Sequence, residues 1–145
     1  MLKKNITCTR KLHFSAGHRV MGHEGKCATP HGHNYYVHFF AEADSLDDVG
    51  RVIDFSVIKE KLGGWIDRNW DHTFLVYSLD VETIQALSVM PKLREPYICP
   101  FNPTAENMAL YLLHEIAPRE LFGTSIRVSK VVLYETENCY ATASL

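Results

Sequence analysis

The chain is poor in the features that would assign it to several large protein classes. Its four cysteines, Cys8, Cys27, Cys99 and Cys139, form no CxxC pair, so no dithiol redox motif or zinc ribbon is written in it, and reduced thiols are expected. No apolar run approaches the roughly 18 residues that a membrane span requires. The opening "MLKKNITCTRKLHF" lacks the apolar stretch of about 7–15 residues of a secretory signal, which predicts a cytoplasmic protein. A net charge of −2 with dispersed lysines and arginines offers no basic stripe, and so predicts no nucleic-acid and no membrane partner. There is no internal repeat, no low-complexity tract and no Gly-rich dinucleotide loop. Small molecules remain as ligands, and 145 residues suffice for one domain, 1–145, with a core of its own.

The patterns that are present describe a mixed fold. From Ile6 to His18 apolar and polar residues tend to alternate, with Leu12, Phe14, Ala16 and His18 on one face, and "HNYYVHFFAEA" from His33 is aromatic and β-branched; both read as strands. A helical spacing of Phe55, Ile58, Leu62, Trp65 and Ile66 follows, with Gly63-Gly64 as its weak point. A second helix starts at the N-cap Thr104, carries Glu106 in its first turn and buries Ala109, Leu112, Leu113 and Ile116, with Pro118 as its expected stop. "SIRVSKVVLYE" and "YATASL" read as a closing hairpin. Between Tyr77 and Asn102, "DVETIQALSVM" suggests an inserted helix, and "MPKLREPYICPFNP" a loop. The order β-β-α-α-β-β predicts an α+β fold with helices on one face of an antiparallel sheet.

Residues two apart on a strand share a face, so His31 and His33 can direct both imidazoles to one point, and His18 at the end of the preceding strand can supply a third. Three imidazoles suit Zn²⁺ and leave one tetrahedral position open for substrate. His13, His23, His38 and His114 have no partner at ligand spacing and read as surface or locally bonded residues. Cys27, four residues before His31, has two readings. As a fourth ligand it closes the site; as a thiolate beside Lys26 it is a nucleophile or base. Asp71-His72 is a candidate acid/base pair, or a helix-terminal Asp with an exposed His. Glu135, ending "VVLYE", is either a solvated strand end or an acceptor for a ring that presents an NH₂ beside a ring N–H, as in pterin or guanine.

Taken together, "FSAGH", "GKCATPHGHNY", "IDFSVIK", "WDHTFL", "NPTAEN" and "YETENC" resemble, in order and over nearly the whole chain, the 6-pyruvoyltetrahydropterin synthase / 6-carboxytetrahydropterin synthase family. The resemblance implies a tunnelling fold (T-fold), in which subunits close an oligomeric barrel as trimers stacked into a homohexamer. It implies Zn²⁺ on His18, His31 and His33, with Cys27, Asp71 and His72 as acid/base groups. Glu135 would anchor the pterin, with Thr104 and Glu106 as further substrate-binding residues. The compact C-x₃-H-x-H spacing resembles the carboxy enzymes of queuosine biosynthesis, which implies 7,8-dihydroneopterin triphosphate as substrate. It implies 6-carboxytetrahydropterin, acetaldehyde and triphosphate as products. The pyruvoyl activity and a non-catalytic zinc- or pterin-binding module are the alternatives. Lys26 and Arg19 are candidate cations for the triphosphate.

Overall fold

Strand β1 (Cys8–His18) lies antiparallel to β2 (His31–Ala43), with Cys8 opposite Ala41 and His18 opposite His31, in a computed structural model that describes residues 5–145. Because side chains alternate across a strand, Phe14, Ala16 and His18 of β1 and Tyr35, Val37, Phe39 and Ala41 of β2 turn to one buried face. Strand β5 (Ile126–Tyr134) pairs antiparallel with β2 across a register shift at Phe40/Ala41, and β6 (Tyr140–Ser144) completes the terminal hairpin. These are the four strands that the sequence pattern predicts.

Two more strands change the character of the sheet. β3 (Thr73–Tyr77) runs parallel to β1, and β4 (Tyr97–Cys99) runs parallel to β3, which gives the order β4-β3-β1-β2-β5-β6. The expected antiparallel sheet is therefore a mixed sheet of six strands. The segment read as a loop contains β4, whose neighbours Pro96 and Pro100 stand outside the strand and take no donor from its ladder.

Two long helices cover the apolar face, and a short inserted helix lies between β3 and β4 in the chain. The first, α1 (55–69), does not break at its glycines: Phe55–Ile58 and Gly64–Asn69 are α-helical, and the wider π-helical Lys59–Gly63 joins them. Ile58, Leu62, Trp65 and Ile66 are buried as expected, whereas Phe55, on the first turn, is exposed. The inserted helix α2 (Val81–Ser88) is capped by Asp80, whose carboxylate accepts from Thr83 N–H. The third, α3 (105–120), begins at Thr104, whose hydroxyl accepts from Asn107 N–H at 3.1 Å. It runs past Pro118, because the π-helical Leu112–Ile116 ends there and Pro118 enters the first turn of the α-helical Ala117–Glu120, where a missing N–H is tolerated. Ala109, Leu112, Leu113 and Ile116 all face the core. Trp70, at the end of α1, is fully buried against Phe14 (5.7 Å between ring centroids) and Trp65 (5.2 Å), and so fixes the corner that follows it.

Candidate metal centre

The buried stripes of β1 and β2 end in imidazoles. His18 faces His31 across the ladder, His33 sits opposite Ala16, and one ligand nitrogen from each of the three lies within 4.8 Å of the others. The backbone sets their tautomers. His18 Nδ1 is 2.7 Å from Pro103 O and His31 Nδ1 is 2.6 Å from Thr29 O; a carbonyl only accepts, so each Nδ1 carries the proton. Their Nε2 atoms then meet lone pair to lone pair at 3.2 Å. Two bare acceptors repel, but ligands at about 2.0–2.1 Å on a tetrahedral Zn²⁺ stand about 3.3 Å apart. His33 Nε2 is buried and has no hydrogen-bond partner among the described residues. Burial, followed by the neighbouring His31 and His33, pushes His18 down to about 4 against the opposing pull of Pro103 O. Desolvation and His31 also lower His33. Both rings are therefore neutral near pH 7, the state that binds a cation, and the donor set fits a metal of the zinc type.

The glycine between the ligands is part of this geometry. A Cβ on Gly32 would lie 3.1 Å from Ala16 O, so the close approach of β1 and β2 behind the imidazoles depends on a residue without one. Arg19, next to His18, makes a bidentate pair with Asp80, both contacts at 2.6 Å. The Asp80 side chain is only 2% exposed. The Arg19 hydrogen bond holds the Asp80 carboxyl below the usual carboxylate range, against desolvation. Arg19, read as a candidate cation for the triphosphate, thus uses Nε and Nη2 to fasten the inserted helix to the strand end.

Glu135 follows β5 at the start of the turn, its N–H donating to Cys139 O, and its Oε2 lies 3.9 Å from His33 Nε2. Desolvation, then the charge of Glu106 in the first turn of α3, raises its carboxyl above the ordinary glutamate value, with His31 opposing. Glu106 and Glu135 thus come together beside the histidines, while the Thr104 hydroxyl is used as a helix cap. The fully buried Tyr35 lies below, its ring 5.4 Å from that of His33, and its hydroxyl has no partner among the described residues.

Asp71 and His72 do bond to each other. His72 Nδ1 is 3.0 Å from Asp71 Oδ2, while Asp71 Oδ1 accepts from Ser15 N–H at 2.9 Å. Against desolvation, the Ser15 N–H and the His72 ring hold the Asp71 carboxyl below its usual range. His72 adopts φ 56°, a left-handed conformation uncommon outside glycine, and its N–H donates to Ser15 O at 2.6 Å. The bent backbone lets two adjacent side chains meet, which adjacency in sequence alone does not reveal. The imidazole is 74% exposed. It borders an open depression of about 650 Å³ that His31, His33, Ser15 and Asn34 also line.

Cys27 lies apart, in a single 3-10 turn, Lys26–Ala28, that is tied to β1 by the Val20 N–H to Cys27 O bond. The three-histidine cluster does not include it. The reading as a fourth ligand is thus unsupported by geometry, and the thiol lines neither of the two depressions that His72 borders. The Pro103 and Thr29 carbonyls had no side-chain signature and escaped the sequence reading. Of the remaining histidines, His23 Nδ1 accepts from Gly25 N–H, and His13 and His38 pack beside Tyr36 and Tyr134.

Comparison with known proteins identifies the family of the chain. The chain is 42% identical over 135 residues to a protein from Rickettsia felis named 6-carboxy-5,6,7,8-tetrahydropterin synthase, covering 93% of this chain and 97% of the relative. A Helicobacter pylori protein of the same name is 33% identical over 146 residues, covering 94% and 72%. Among solved structures, an uncharacterised protein from Wolinella succinogenes superimposes with a TM-score of 0.80 at 22% identity, covering 96% of this chain and 97% of that one. The Caenorhabditis elegans 6-pyruvoyl tetrahydropterin synthase superimposes with a TM-score of 0.68 at 24% identity, covering 100% and 99%. These neighbours share the tunnelling fold. The family model described as 6-pyruvoyl tetrahydropterin synthase matches residues 7–144, and the chain belongs to that family.

Proposed function

We propose that the chain is a zinc-dependent 6-carboxytetrahydropterin synthase, a carbon–carbon lyase acting on 7,8-dihydroneopterin triphosphate. The observation that carries the reading is the convergence of three imidazoles, two of them oriented by backbone carbonyls, beside a partly buried glutamate. Preference for the carboxy over the pyruvoyl product rests on the names of relatives about 40% identical over nearly their full length, together with the compact spacing of Cys27, His31 and His33. Its place would be queuosine biosynthesis in the cytoplasm.

In this reading His18, His31 and His33 hold Zn²⁺, which supplies Lewis acidity toward the hydroxyls of the substrate side chain. Glu135 accepts the ring's NH₂ and N–H in parallel, and Glu106 adds negative potential on the same side. With the ring fixed, the side chain is presented for proton transfer. Cys27 and the His72 imidazole, oriented by Asp71, take and return protons at side-chain carbons, so the rearrangement needs no nicotinamide or flavin. His72 is exposed and Cys27 borders neither depression next to it, which supports a site completed between subunits of a homohexamer built from two trimers. Shared sites would also cover the open edges at β4 and β6.

The test is the product formed from 7,8-dihydroneopterin triphosphate by zinc-loaded protein. A pterin with the mass of 6-carboxytetrahydropterin, formed with acetaldehyde, is expected. A pyruvoyl pterin would transfer the assignment to the alternative activity, and no turnover would leave a binding module.

A further inference from the structure

We propose that Lys92 and Arg94, in the segment after α2, form an anion-binding arm that takes the triphosphate of the substrate beside His72; this rests on the function proposed above. A second depression, of about 380 Å³, adjoins the one lined by His31 and His33, and the two share Pro30, His72, Thr73 and Phe74. Together they make a continuous trough with His72 where the two meet and Lys92 and Arg94 at one end. Phe74, Ala86, Leu87 and Met90 give that end an apolar floor, and low-dielectric walls strengthen the field of cations above them.

Arg94 is already oriented. Its Nη2 donates to Asp67 O at 3.0 Å and to Arg68 O at 2.8 Å, at the C-terminal end of α1, while its Nε and Nη1 make no hydrogen bond among the described residues. With Nη2 held by the two carbonyls, the Nε–H and the Nη1 hydrogens are left to donate singly to phosphate oxygens. Lys92 has only long contacts, Met90 O at 3.4 Å and Glu95 Oε2 at 3.9 Å, and the Glu95 carboxylate is itself highly exposed. An incoming polyanion replaces that contact at little cost. Arg19, bound to Asp80, lines neither depression, and Lys92 and Arg94 are the lysine and arginine that border the trough. Because Lys92 and Arg94 border the same depression as His72, they accompany it whether His72 serves its own chain's metal or a neighbour's.

Inorganic tripolyphosphate is the probe, titrated by calorimetry into zinc-loaded protein, with 7,8-dihydroneopterin as the ligand that has the ring and side chain but no phosphate. Lys92→Ala should weaken tripolyphosphate binding about threefold to tenfold and Arg94→Ala more than tenfold, with dihydroneopterin affinity unchanged within twofold. Arg94 also bonds carbonyls of α1, so thermal melts accompany its variant; Lys92→Ala removes no such bond and keeps the test decisive if Arg94→Ala fails to fold. Unchanged tripolyphosphate affinity in folded Lys92→Ala protein, or equal losses for both ligands, overturns the proposal. Wild-type protein that binds tripolyphosphate through these residues but no pterin would overturn the function proposed above and leave the anion arm standing.

Discussion

The histidine end of β1 and β2 and the Asp71–His72 corner are neighbours along β1, and they are built in opposite ways. At the first, side chains are withdrawn from water and each orienting bond comes from backbone: His18 is 1% exposed and tied to Pro103 O, and His31 is tied to Thr29 O. At the second, a strained left-handed residue holds its imidazole toward solvent, 74% exposed, on a carboxylate anchored by Ser15 N–H. One chain brings the three imidazoles together by itself. It only aims the corner, and on the function proposed above its proton-transfer chemistry would take a partner group from a neighbouring subunit.

The contrast predicts the largest effects at the withdrawn end. His31→Ala or His33→Ala should give folded protein that purifies with little zinc, because one of three ligands is gone. His13→Ala, on the exposed side of β1, should retain the metal. Metal analysis of the purified proteins checks this, and stoichiometric zinc in both ligand variants would break the assignment.

Next comes the fastening beside His18. Asp80→Asn should destabilise the fold by about 3 kcal/mol, because it removes one partner of a largely buried ion pair. Denaturant melts measure the loss. The wild-type pair also sets a pH window. The folded-state value of Asp80 is depressed, so its contribution is complete above the ordinary carboxylate value near ~3.9 and fades as pH falls through the depressed one. Acid unfolding should therefore be shallower in Asp80→Asn.

A smaller effect sharpens the comparison at the ligand end. Glu135→Gln sets a donor against the ring's own N–H groups and leaves a buried donor unpaired, at a cost of ~1–3 kcal/mol. Pterin affinity should fall by about one to two decades in equilibrium binding. An unchanged affinity would make Glu135 a strand end and no more.

The withdrawn end was the more legible in the sequence, because period-two spacing converts directly into a shared face. His18, His31 and His33 could be grouped from β-strand alternation alone. The strand β4 could not be read, since three residues between Pro96 and Pro100 carry no period. β3, five residues directly after a helix, gains its identity from a parallel neighbour that lies far away in sequence. The π-helical stretches in α1 and α3 hid the continuity of both helices behind Gly63-Gly64 and Pro118. At the corner, the Asp71–His72 bond depends on one positive φ, which residue type does not announce. The ion pair of Arg19 was not legible either, because its partner, Asp80, is 61 residues away.

The most direct test of the claim that a single chain leaves the corner unfinished is complementation. Cys27→Ala and His72→Ala proteins, each nearly inactive alone, are unfolded together, refolded as mixed oligomers verified by mass, and assayed for pterin product. The account predicts that part of the activity returns, because some interfaces then pair an intact Cys27 with an intact His72. Verified mixed oligomers that stay as inactive as either parent would contradict it and require both groups to act within one chain.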